Sequence, residues 1–201
     1  MVDPASFVDG ENWTGGFYEL CLELGPRDDQ RLQAALTALW QAAGIDGCCA
    51  DSGREPEDQP AVPCTVGSLE SLGHLRGRVA LPTGRRVVCG CFAVRDDGDG
   101  PEWIELYLPL GALARTDRRI GGYPFDSRSG PESLDWRSGL DDWLVAIAGQ
   151  VHRQVPVRLG LVGFEVDSVS AETLGGVVPQ ERWAGFLLPA GDGLRYEPAN
   201  R

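Results

Sequence analysis

"YELCLELG", residues 18–25, and "IELYLPLG", residues 104–111, agree at five of eight positions: a glutamate, three leucines and the closing glycine. In the first stretch Tyr18, Leu20, Leu22 and Leu24 alternate with Glu19, Cys21 and Glu23. In the second Ile104, Leu106, Leu108 and Leu110 alternate with Glu105, Tyr107 and Pro109. A period of two with all the aliphatic residues on one side is the mark of a strand with one buried face. Both stretches are therefore expected to be strands, and their agreement raises the expectation of one unit written twice.

The pattern extends outward from each. After the first stretch, Gly25-Pro26 ends the strand and Asp28 or Asp29 caps a helix whose stripe is Leu32, Ala35, Leu36, Leu39, Trp40 and Ala43, closed by Gly44. A short strand is expected over 45–50, then a polar loop, 51–64, that reads as mobile. Strands at 77–81 and 86–95 follow, joined by the turn "PTG", 82–84. After the second stretch, Ser133 is the expected cap of a helix carrying Trp136, Leu140, Trp143, Leu144, Ile147 and Val151. A strand over 157–166 and a strand-turn-strand over 183–198 complete the chain. A second match, "LPTG" from Leu81 and "LPAG" from Leu188, has an offset of 107 against 86 for Leu20 and Leu106; an insertion at 116–136 accounts for the difference. Convergence is the competing explanation, because Leu-Glu alternation and L-P-x-G turns both recur in unrelated strands.

The expected fold is α+β: a single domain, 1–201, with pseudo-repeat halves at about 16–95 and 102–198. Each half is a strand-helix-strand-strand unit. The sheet is mostly antiparallel, its two main helices lie on one face, and the other face is open as a groove. In architecture alone, such tandem units resemble the gyrase-inhibitor-like proteins, and that resemblance implies a small molecule bound between the repeats.

Eighteen basic residues, every one an arginine, stand against thirty acidic ones, a net charge of −12. Such a field repels nucleic acid and anionic membranes and favours a basic protein or a cationic small molecule. The absence of lysine excludes Schiff-base chemistry and a P-loop lysine. The first residues have neither a cationic region nor an apolar core, and "WLVAIA", 143–148, is too short to span a bilayer, so the location is expected to be cytoplasmic with reduced thiols.

The candidate binding residues lie opposite the leucines: Glu19 on the first strand, and Trp103, Glu105 and Tyr107 on the second. Carboxylates interleaved with rings suit a cationic, apolar ligand. Glu165, inside an otherwise apolar run, joins them, because a carboxylate there must sit at an edge, be paired, or face a cavity. Tyr123 and Phe125 belong to the inserted 116–136 segment, where aromatic residues beside Arg118 and Arg119 are of the type that anchors interfaces. Cys89 and Cys91 share a strand face and read as buried thiols; a metal site drawing on them and on Cys48 and Cys49 lacks the spacing of structural zinc, so no metal or cofactor is expected. "RDDGDGPE", 95–102, has calcium-like acids but reads as the turn between the halves.

The leading expectation is thus a non-enzymatic binding protein, recognising a basic protein in the manner of an immunity protein or a cationic small molecule. The alternative is a small hydrolase or transferase using a Cys or His in a cleft between the halves. That alternative needs His74 or His152 beside a thiol, hydroxyl or carboxylate.

Overall fold

The structure is a computed structural model that describes residues 3–95, 100–119, 132–166 and 169–201. Eight antiparallel strands form one sheet in the order β2-β3-β4-β5-β1-β6-β7-β8. They are β1 (Phe17–Gly25), β2 (Asp46–Cys49), β3 (Leu75–Ala80), β4 (Arg86–Val94), β5 (Glu102–Pro109), β6 (Leu159–Phe164), β7 (Gly185–Ala190) and β8 (Gly193–Glu197). The helices are α1 (Asp29–Ala43), α2 (Val66–Leu72), α3 (Leu110–Thr116), α4 (Glu132–His152) and α5 (Ala171–Leu174). The protein is α+β and mostly sheet, and among the described residues no helix is long and apolar enough to cross a membrane.

The two matching stretches are neighbours. β1 and β5 pair antiparallel at the centre of the sheet, with Leu20 opposite Leu106. Leu20, Leu22, Leu24, Ile104, Leu106 and Leu108 are all buried and pack in one core with Leu32, Leu36 and Leu39 of α1 and Leu144, Ile147 and Val151 of α4. Burying a Leu or Ile of this kind stabilises the fold by about 2 kcal/mol. The Asp28 side chain accepts from the Gln30 and Arg31 amides at the start of α1, and Gly44 ends that helix at φ 63°. Ser133, by contrast, lies inside α4 rather than at its cap, and its hydroxyl accepts from Arg137 at 3.2 Å.

The halves are wound in opposite senses. After β1 the chain crosses by α1 to the far edge and returns inward through β2, β3 and β4. After β5 it crosses by α4 to β6, beside β1, and runs outward through β7 and β8. The tandem relation between halves is therefore not evident in the strand order.

The face opposite the main helices is not an open groove. Over β6 and β7, Val166, Val169, Ala171, Leu174 and Val178 pack on Cys21, Trp103, Leu159, Leu161 and Phe186. On the far side the N-terminal segment lays Phe7 and Trp13 beneath the guanidinium groups of Arg78 and Arg76, at 5.6 and 5.9 Å. The polar loop 51–64 is also held: Glu55 accepts from Ser6 Oγ at 2.7 Å, the Phe7 amide at 3.1 Å and Arg78 at 2.6 Å.

Candidate functional site

Between those two coverings, and reaching under the edge of the first, lies a strip of sheet face centred on β1 and β5. Its first row runs Phe92, Glu105, Cys21, Leu161 across β4, β5, β1 and β6; the next runs Gly90, Tyr107, Glu19, Gly163. Glu19 and Glu105 are diagonal neighbours flanking the Leu20–Leu106 pair, so the glutamates that match in sequence meet in space. Glu19 is 6% exposed and Glu105 7%.

Burial, reinforced by the charge of Glu105 and then of Glu165, pushes the Glu19 carboxyl up to about 7, against the Val166 amide that donates to its Oε1 at 2.8 Å. Burial raises Glu105 as well, and the Cys21 thiol, which donates to Glu105, partly offsets it. The Cys21 thiol is itself held well above its ordinary value, by burial first and then by the two carboxylates. One donor atom from each of Glu19, Cys21 and Glu105 lies within 4.8 Å of the other two.

An aromatic rim completes the strip. The Phe17 and Tyr107 rings are 4.3 Å apart, Phe92 and Tyr107 5.8 Å, and His74 and Phe92 5.1 Å. Tyr107 lies across Gly90, where a Cβ would come within 2.2 Å of its ring. Burial pushes its hydroxyl up to about 12, and an Arg76 hydrogen bond acts the other way. His74 Nδ1 is 3.2 Å from the same hydroxyl, and burial, then Arg76, lowers its pKa. A neutral His74 can accept from the Tyr107 hydroxyl, which leaves that oxygen free to accept from Arg76.

Trp103 shares the face but lies beneath the covering made by Val166, Val169, Ala171, Leu174 and Val178, 5% exposed. Glu165 stands at the end of β6, exposed, at φ 38°, with its carboxylate beside Gly16. Positive φ at a non-glycine residue costs on the order of 1 kcal/mol. The Glu165 amide donates to the Phe17 carbonyl at 3.0 Å, a contact that holds the turn. Tyr123 and Phe125 lie outside the described residues. Arg95 and Glu102, at 2.6 Å, close the base of the acidic connection between β4 and β5, of which 96–99 are likewise outside them.

Cys89 and Cys91 are fully buried on the helix-covered face. Among the described residues neither they nor Cys48 and Cys49 belong to a three-ligand cluster. His152 Nδ1 accepts from the Val157 amide at 3.1 Å, a structural contact. Phe92, His74 and Cys21 are members of the strip that sequence alone did not single out as binding residues. Alternation places Cys21 on this face and could have placed Phe92; nothing in sequence could have placed His74.

No protein-family model, curated protein or solved structure matches this chain. The chemistry of the strip therefore stands on its own geometry.

Proposed function

We propose that this chain is a non-enzymatic binding protein that takes a small positively charged ligand on the strip bounded by Phe17, Phe92, Tyr107 and the carboxylates of Glu19 and Glu105. One contrast carries the reading. The other buried carboxylates each have an arginine: Glu102 has Arg95 at 2.6 Å, Glu23 has Arg158 at 3.4 Å, and Asp141 feels Arg137. Glu19 and Glu105 are also buried, at 6% and 7% exposure, yet among the described residues neither has an ion pair. Two like-charged groups left this way in low dielectric disfavour ionisation, and a bound cation removes that penalty. The rings beside them add cation–π attraction of about 1 kcal/mol per well-placed contact.

A thermal-shift titration with tetramethylammonium, methylguanidinium and divalent metal chlorides tests the reading, with a neutral isostere as the control. A ligand that binds only the folded chain raises Tm with concentration. The expected result is a shift from at least one cation class that disappears in Glu19→Gln and Glu105→Gln. Equal shifts in the variants, or none from any cation, would remove it.

The net charge of −12 favours a second reading, a basic protein partner of the immunity type. Such a partner would meet exposed acids such as Glu165, Glu172 and Glu181 rather than the recessed pair. Association would then slow steeply with added salt.

A further inference from the structure

We propose that Glu19, Cys21 and Glu105 form a binding site for one thiophilic divalent metal ion of the zinc class. The inference rests on the reading that this strip takes a cation, and it names the cation's chemistry.

Two carboxylates alone would specify little. The thiol is the separate observation: Cys21 is 4% exposed, lies across from Glu105 in the strand pairing, and points its sulfur into the space the carboxylates share. The Glu105 carboxylate, in a residue 7% exposed, has no hydrogen bond or ion pair to any described residue outside the trio. A buried acid and a buried thiol with only each other as partners are a costly arrangement for a protein that elsewhere gives its buried carboxylates arginines.

The dimensions fit. The three donor atoms lie within 4.8 Å of one another. Tetrahedral zinc holds sulfur at about 2.3 Å and oxygen at about 2.1 Å, so its donors sit roughly 3.5 Å apart, within reach of small side-chain rotations. The Val166 amide already fixes Glu19 Oε1 at 2.8 Å, in the way an outer-shell hydrogen bond orients a ligating carboxylate. Three protein donors leave a fourth position, and the aromatic rim of Phe17, Phe92 and Tyr107 borders the same strip.

The ligand set also selects. A thiolate with two carboxylates prefers Zn²⁺ or Co²⁺ over Mg²⁺ and Ca²⁺, which take oxygen donors. On binding, the metal–sulfur bond replaces the S–H bond of Cys21, and the thiol proton leaves to buffer. Any proton held on the carboxylates leaves with it, and no oxidant or reductant takes part.

Cobalt titration of chelator-treated, full-length protein reads this directly, because thiolate ligation produces a near-ultraviolet charge-transfer band. One equivalent of Co²⁺ should develop that band, and Zn²⁺ should displace it. Cys21→Ser should abolish the band and weaken zinc binding at least ~100-fold, and Glu105→Gln should weaken it at least ~10-fold. The Cys48→Ser/Cys64→Ser double variant should leave both unchanged. Far-ultraviolet circular dichroism of the metal-free variants checks folding, and the wild-type band reports thiolate ligation whether or not a variant folds. A titration without the band, or one that Cys21→Ser leaves intact, overturns the metal site. If an ammonium ligand binds in a Glu105-dependent way while metals do not, the metal assignment falls and the cation reading stands. If neither binds, both fall.

Discussion

Tyr107 lies flat across Gly90 on the neighbouring strand, so close that a methyl group at Gly90 would stand 2.2 Å from the tyrosine ring. The same tyrosine touches Phe17, Phe92 and His74. The absence of a side chain at one position therefore sets the arrangement of the whole aromatic rim.

Gly90→Ala should displace the Tyr107 ring and cost about 1–3 kcal/mol, as overpacking does. In a Tyr107→Ala background the same change should cost well under half as much. A double-mutant cycle by urea unfolding checks this, and equal costs in both backgrounds would show that the ring is not the obstacle.

Arg95 binds Glu102 and Asp29 at 2.6 Å each and pairs with Glu70 as well. Glu102 is 1% exposed. Arg95→Met should therefore destabilise by about 3 kcal/mol, chiefly by stranding the Glu102 charge. Adding Glu102→Gln should recover a large part of that loss, and denaturant midpoints of the two variants decide it.

Asp141 is buried against Tyr18 on β1, with Arg137 and Asp142 on its own helix and Tyr196 on β8 nearby. Burial raises its carboxyl to about 6, opposed by the Tyr18 hydrogen bond and Arg137. The folded state thus holds a proton that the unfolded chain has already lost, so this group makes stability fall as pH rises from about 4 to about 6. The total change is on the order of 3 kcal/mol. Asp141→Asn, which keeps an acceptor for Tyr18, should flatten that part of the stability–pH curve; an unchanged slope would assign it to other groups.

Cys64 is half-buried, whereas Cys21, Cys48, Cys49, Cys89 and Cys91 are buried. A hydrogen bond with Cys48 lowers the Cys64 thiol and raises that of Cys48. Alkylation with iodoacetamide under native conditions should label Cys64 first, by several-fold over any other thiol. Peptide mapping at partial labelling reads the order directly.

The two central strands were legible because each carries a complete alternating pattern, and the face of Glu19, Cys21, Glu105 and Tyr107 followed from it. Asp28 and Gly44 marked α1 for the same reason: a cap is a local event. The sheet order was not legible, since placing β1 between β5 and β6 depends on partners distant in sequence, such as Leu106 opposite Leu20 and Val162 opposite the same residue. The meeting of Cys21 with Glu105 was hidden for that reason as well. The cysteines weighed as metal ligands from the sequence were Cys48, Cys49, Cys89 and Cys91, set aside for want of zinc spacing, while the compact trio forms only across two strands. The polar loop 51–64 looked mobile because nothing local announces that Glu55 is the acceptor for Ser6, Phe7 and Arg78.

β1 is made before the other seven strands of its sheet, yet both its partners come late: β5 at Glu102–Pro109 and β6 at Leu159–Phe164. During synthesis β1 has no strand of its sheet to pair with until β5 has left the ribosome. At about 5–20 residues per second that interval lasts several seconds. The meander β2-β3-β4 can close early, while the centre of the sheet cannot. Refolding should accordingly be slow and sensitive to protein concentration, and a nascent chain halted before β6 should be a client for chaperones that shield unpaired strands.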